Sequence, residues 1–181
     1  MEATQLEKLE NLLGEGQTAI ARDLNLNLKR VLTEGSLSGE EGLLTLLATA
    51  TSVEHRTLAE FAQEALAASG MDPALIQEAR ESAAMMGMLN MYYRFRHMIG
   101  AENGKADDYR TAGLRMTALA KPVLGKERFE MLAFAVSVLN GCESCIRSHE
   151  KVLRDHGLSA DKVHDLVRIA AVVKAQKALK F

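Results

Sequence analysis

The stretch Leu24-Asn25-Leu26-Asn27-Leu28 alternates apolar and polar side chains with the two-residue period of a half-buried strand. How it is read decides between a mixed and an all-helical chain. Its surroundings favour the helix: across Thr18–Leu32 the apolar residues Ile20, Leu24, Leu28, Val31 and Leu32 recur at spacings dominated by three and four. With that stretch helical, no Val/Ile/Thr-rich alternating run of useful length is left, and both prolines fall at helix boundaries. The fold class is all-α, a helical bundle.

Working outward, Leu6–Leu13 has helical spacing and stops at Gly14. The turn residues Glu34-Gly35-Ser36 and Ser38-Gly39 close an N-terminal arm of about residues 1–36, and Ser38 with Glu41 forms a capping-box pattern. Two helices follow, Leu43–Ala50 and about Glu54–Ala68, the second stopped by Gly70. Asp72-Pro73 opens a helix that carries Leu75, Ile76, Ala79, Ala83, Met86 and Leu89 towards Met98. A polar loop over Gly100–Asp108 is the segment expected to be most mobile. An apolar segment, Leu114–Ala120, ends before Lys121-Pro122; helices are then expected over Lys126–Leu139, Gly141 to about His156, and Ala160–Leu179. Shifting the chain by 87 residues aligns Gly70 with Gly157, Glu40 with Glu127, Leu66 with Leu153 and Ala83-Ala84 with Ala170-Ala171. This suggests a duplicated helical unit over about 40–94 and 127–181 in one single domain of 181 residues.

The 22 Lys and Arg against 24 Asp and Glu leave a net charge of −2, with no basic stripe, so no nucleic-acid partner is expected. No window approaches eighteen uninterrupted apolar residues, and the first fifteen lack the apolar block of a signal peptide, so no membrane association and a cytoplasmic setting are expected. In a reducing compartment a lone Cys-x-x-Cys is more often catalytic or metal-binding than a structural staple.

Both cysteines lie in Asn140-Gly141-Cys142-Glu143-Ser144-Cys145-Ile146-Arg147-Ser148-His149. Asn140-Gly141 separates two helical patterns, which places the cysteines in the first turns of the second helix, with Asn140 as the expected cap. Unpaired N–H groups and the positive end of the helix dipole favour thiolate there, the reactive form. Spacing of three puts both sulfurs on one face within disulfide reach, and His149 follows one turn after Cys145 on that face. Glu130 precedes Cys142 by twelve residues inside an apolar run. If the two helices form an antiparallel hairpin about Gly141, Glu130 and His149 differ in register by about 4.5 Å, which two long side chains bridge. Glu130 would then orient His149 to take a proton from Cys145, directly or through water.

Other readings of the same residues stand beside this one. Cys142, Cys145 and His149 suit three ligands of a zinc site, although no fourth ligand is evident. Glu130 could pair with Arg128 or Arg147 instead. His55, His97, His156 and His164 read as surface or packing histidines, the run Met85-Met86-Gly87-Met88 with Met91 reads as core or a subunit interface, and Tyr92-Tyr93-Arg94 is unassigned. A thioredoxin fold is excluded, because its dithiol follows a strand in a βαβ unit.

The chain resembles the alkyl hydroperoxidase AhpD family, within the carboxymuconolactone-decarboxylase-like helical superfamily. The likeness is strongest from Leu114-Arg115-Met116 through Phe129-Glu130 and Phe134-Ala135-Val136-Ser137 to the Cys-x-x-Cys segment and His149-Glu150. Weaker echoes occur at Asp23–Leu28, at Met86–Asn90 and at Tyr93-Arg94. The resemblance implies a homotrimeric thiol peroxidase and disulfide reductase with no bound cofactor. Cys145 would be the nucleophile oxidised to sulfenic acid, Cys142 the proton donor and resolving cysteine of a redox disulfide, and His149 and Glu130 the proton relay. It also implies partners: a peroxiredoxin, AhpC, and electrons from dihydrolipoamide on a lipoyl-bearing acyltransferase subunit, ultimately from NADH through lipoamide dehydrogenase. The family pattern has a histidine before the second cysteine where this chain has Ser144. A hydroxyl passes a proton within a network but does not titrate near neutrality, so rate, pH optimum or donor would differ. Non-redox chemistry as elsewhere in the superfamily, or a zinc-stabilised helical module, are the competing expectations.

Overall fold

The computed structural model describes residues 1–103, 109 and 111–179. Among these it holds eight α-helices and no strand: α1 (Ala3–Leu13), α2 (Ala19–Thr33), α3 (Gly39–Ser52), α4 (Arg56–Ala68), α5 (Pro73–Asn103), α6 (Lys126–Asn140), α7 (Glu143–Asp155) and α8 (Ala160–Leu179), with a short 3-10 turn at Thr117–Ala120. The alternating Leu24–Leu28 stretch lies inside α2. Its apparent polar face is partly internal: Asn25 is buried, donates to the carbonyls of Leu13 and Gly14 at the end of α1, and accepts from Gln176 of α8. Leu26, by contrast, faces solvent.

Two helices form the centre. Residues 42–50 of α3 are all buried, as are Phe129 and residues 131–137 of α6. A helix apolar on every side belongs inside the bundle, and each fully buried leucine, such as Leu44, Leu46 and Leu47, adds about 2 kcal/mol. Helices α2, α4, α5, α7 and α8 pack around this pair. The starts of α3, α4 and α5, at 39, 56 and 73, precede those of α6, α7 and α8, at 126, 143 and 160, by 87 residues each.

Several boundaries follow the sequence reading closely. Thr18 caps α2, Gly14 ends α1, and the Ser38–Glu41 capping box opens α3 with both of its hydrogen bonds formed. Others differ. Helix α4 begins at Arg56 rather than Glu54, because Glu54 takes a left-handed conformation (φ 57°) that helical residues do not adopt. Helix α5 runs through Gly100 to Asn103, where a loop was expected, since one internal glycine costs a helix only about 1 kcal/mol. The rest of that expected mobile loop, 104–108, lies outside the described residues.

Glu41 also ties the two halves together. Burial pushes its carboxyl up, but Lys162 of α8 donates to both its oxygens (2.8 and 2.9 Å) and the Ser38 N–H donates at 2.7 Å. These bonds outweigh burial and hold the group below its ordinary value of 4.5. A carboxylate lowered in the folded state adds stability that is present above the unfolded value and is lost as pH falls through the folded one. Glu41→Gln should therefore lower stability near neutrality by about 2 kcal/mol. The gap from wild type should close on acidification below the ordinary value, as read from denaturant midpoints across the range.

Candidate redox site

The turn between α6 and α7 is built by Gly141. Its φ of 63° and ψ of 35° place it in the left-handed region that ends helices. Its N–H reaches the carbonyl of Val138, and the next N–H, that of Cys142, reaches Ser137, which together close the end of α6. Cys142 then serves as the N-cap residue of α7, and its carbonyl accepts from Ile146. This corrects the expectation for Asn140, which is the last residue of α6. Its side chain turns back to donate to Asn90 of α5.

The hairpin is antiparallel, and Glu130 meets His149 across it: His149 Nδ1 lies 2.6 Å from Glu130 Oε2, with about a fifth of each side chain exposed. The alternative partners are engaged elsewhere, Arg128 with Glu40 and Arg147 with Glu143, both at 2.7 Å. With Nδ1 held by the carboxylate, Nε2 is the nitrogen left to serve the cavity.

Cys142 and Cys145 are joined as a disulfide, and the two sulfurs differ in access. Cys142 is fully buried, whereas Cys145 is 8% exposed and opens onto a cavity of about 330 Å³. Ser144 lines the same cavity and places Oγ 3.7 Å from Cys142 Sγ. It is thus the polar group between the sealed sulfur and the opening. Asn90, Glu130, Ser148 and His149 complete the polar side. The apolar wall comes from Met86, Leu89 and Tyr93 of α5, from Met116 and Leu119 of the segment before α6, and from Phe129. Cys145 is the third residue of α7, where free backbone N–H groups and the helix dipole favour thiolate after reduction.

The structure thus brings all four expected side chains into one place, three of them on the cavity and Cys142 directly behind it. The reading from sequence missed the α5 wall. Met86 was assigned to core or interface; it is buried and also faces the site. Asn90 and Tyr93 were visible only as weak family echoes, though 86, 89, 90 and 93 share one helical face. The other histidines lie outside the cavity. His55 is buried and caps α4 by accepting from the Leu58 N–H, and exposed His97 stands 4.0 Å from Glu143. Among the described residues, no group of three or more His, Cys, Asp or Glu is arranged to hold a metal ion.

Comparison with known proteins bears on the same region. The model of the carboxymuconolactone decarboxylase family matches residues 109–181. A protein of Anaeromyxobacter dehalogenans (strain 2CP-C), named alkyl hydroperoxide reductase AhpD, is 46% identical over 86% of this chain and 81% of its own length. A Maricaulis maris protein of the same name is 41% identical, with 96% of each chain covered. One from Rhizorhabdus wittichii, again so named, is 39% identical over 86% of this chain and 87% of its own.

Proposed function

Because this chain belongs to the AhpD alkyl hydroperoxide reductase family, we propose that it is an antioxidant thiol peroxidase that turns over hydroperoxides through the Cys142–Cys145 dithiol and is recharged by dihydrolipoamide. The observation that carries this reading is the grouping on one cavity of an accessible Cys145, backed by a sealed Cys142, with a carboxylate-oriented His149.

In the reduced enzyme His149 Nε2, directly or through water, takes the Cys145 proton. The Cys145 thiolate attacks the terminal oxygen of the hydroperoxide; the O–O bond breaks, an S–O bond forms, and the alkoxide leaves as alcohol with the proton from His149. Cys142 then attacks Cys145 Sγ. An S–S bond forms, the S–O bond breaks, and hydroxide leaves as water with the proton lost by Cys142. A thiolate of the incoming dithiol next attacks Cys145, the only sulfur of the pair open to the cavity, and expels Cys142 as a thiolate that is reprotonated. The dithiol's second sulfur closes on its first, which releases Cys145. One hydroperoxide and one dithiol give one alcohol, one water and one disulfide.

Ser144 is the proton conductor of this reading on the buried side, since its hydroxyl adjoins Cys142 Sγ. The cavity, apolar on one wall and polar at its base, suits an alkyl hydroperoxide or a thin dithiol arm. In this reading, as in the family's pattern, a peroxiredoxin (AhpC) disulfide is a second substrate, and a lipoyl-bearing acyltransferase subunit and lipoamide dehydrogenase supply electrons from NADH in a cytoplasmic setting. No described helix is long and apolar enough to cross a membrane. Assembly as a homotrimer belongs to the same proposal; the exposed Met88, Met91, Phe95 and Met98 along α5 support an association surface. A decarboxylase-like reaction would leave the cysteine pair without a task.

The decisive experiment supplies purified protein with dihydrolipoamide and an alkyl hydroperoxide, follows peroxide loss, and maps the cysteines by mass. Turnover with a reversible Cys142–Cys145 bond is expected. Thiols inert to peroxide would overturn the reading.

A further inference from the structure

Asn90, only 2% exposed, faces the α6–α7 turn from α5. Its carboxamide is used at both ends: Nδ2 donates to Ser137 Oγ and Oδ1 accepts from Asn140 Nδ2, each at 2.9 Å. One helical turn along, Arg94 Nη1 donates to the Asn140 carbonyl at 2.7 Å. Ser137 in turn supplies the carbonyl that holds the Cys142 N–H. Helix α5 therefore holds the segment that leads into the first cysteine, and none of these Asn90 and Arg94 bonds to the turn goes to a cysteine sulfur. A buried carboxamide is costly unless both ends are paired, so this arrangement strongly prefers one geometry.

A simpler contact occurs at the corresponding turn of the other half of the molecule. Lys177 of α8, 87 residues after Asn90, donates from Nζ to the Glu54 carbonyl at 2.9 Å. Glu54, 87 residues before Gly141, shares its left-handed conformation (φ 57° against 63°). Each of these two interhelical turns thus accepts hydrogen bonds from a helix of the opposite half. In the second half the pinned turn leads directly into a cysteine, and there the pin is a buried, two-ended amide reinforced by an arginine.

We propose that Asn90, supported by Arg94, is a positioning residue of the redox reaction, holding Cys142 within closing distance of Cys145. The proposal rests on the dithiol reading above. Closure of the disulfide is unimolecular, so its rate and equilibrium depend on the effective concentration of Cys142 sulfur at Cys145. In the step concerned, Cys142 attacks Cys145 Sγ, the S–S bond forms, the S–O bond of the sulfenic acid breaks, and water leaves with the Cys142 proton. Loosening residues 137–142 slows this step and weakens the disulfide relative to the dithiol.

The test uses full-length Asn90→Ala and Arg94→Ala proteins whose folding is verified by circular dichroism and thermal melting. Two quantities are read: the disulfide–dithiol equilibrium in a lipoamide/dihydrolipoamide buffer, and the rate of disulfide formation after one equivalent of hydroperoxide, with sulfenic acid trapped by a dione probe. Asn90→Ala should weaken the disulfide about tenfold, a shift of about 30 mV to less negative potential, and accumulate trappable sulfenic acid. Arg94→Ala, which leaves both Asn90 bonds intact, should move both quantities in the same direction by a smaller factor, and it carries the test alone if Asn90→Ala does not fold. Wild-type equilibrium and closing rate in a folded variant would overturn the proposal. If wild-type protein itself forms no reversible disulfide, the functional reading fails instead, and with it the premise of this one.

Discussion

Cys145→Ser should reduce dihydrolipoamide-dependent hydroperoxide turnover by at least ~10³-fold, because it removes the nucleophile on which every later step depends. Cys142→Ser should also stop turnover, at a different point. Its Cys145 still faces the cavity beside His149, so peroxide should react once and leave a sulfenic acid that persists. A single-turnover experiment with trapping and intact-mass measurement separates the two variants: no oxidation in the first, one added oxygen at Cys145 in the second. Oxidation at Cys142 in the Cys145→Ser protein at the wild-type rate would reverse the assigned roles. The burial of Cys142 argues against that outcome.

The second large effect is expected at the Glu130–His149 pair. Removing the base with His149→Ala should slow Cys145 oxidation by roughly 10²–10⁴-fold, the usual contribution of a positioned proton-transfer group. Glu130→Gln keeps the shape of the partner and loses its charge, so a smaller loss, of about tenfold or more, is expected. The two residues act through one hydrogen bond of 2.6 Å, and their effects should not multiply: the double variant should be little worse than His149→Ala alone. Second-order rates of peroxide reduction for the four proteins decide this. Fully multiplicative losses would show that Glu130 acts independently of the imidazole.

What the sequence disclosed and what it withheld have a common physical basis. Helix identity and ends were readable because they are local: Ser38 with Glu41, Thr18, Gly14 and Gly141 each act within about one turn of the chain. The Glu130–His149 contact was also within reach, because a hairpin of two helices fixes register by counting from Gly141. The opposite wall of the cavity was not. Asn90 lies 47 and 50 residues from the two side chains it bonds, Ser137 and Asn140, and helical periodicity marks Met86 and Leu89 as inward-facing without naming what they face. Leu114–Ala120 illustrates the same limit. It read only as an apolar segment; the structure gives a single 3-10 turn over Thr117–Ala120, with Met116 and Leu119 lining the cavity. Asn140 misled for a related reason. Its residue type suits a helix start, but a buried amide on α5 offers its side chain a partner that adjacent sequence does not reveal.

The crossed pinning of the two turns has a consequence for how the protein acquires its chemistry. Helix α5 precedes both cysteines, and α8 follows them; each secures a turn in the half to which it does not belong. The halves are therefore interlocked, like clasped hands, and a fragment holding α6, α7 and α8 carries both thiols without the helix that sets the approach to Cys142. Efficient disulfide closure would then report the docking of α5 onto the turn between α6 and α7, rather than the mere presence of two nearby cysteines.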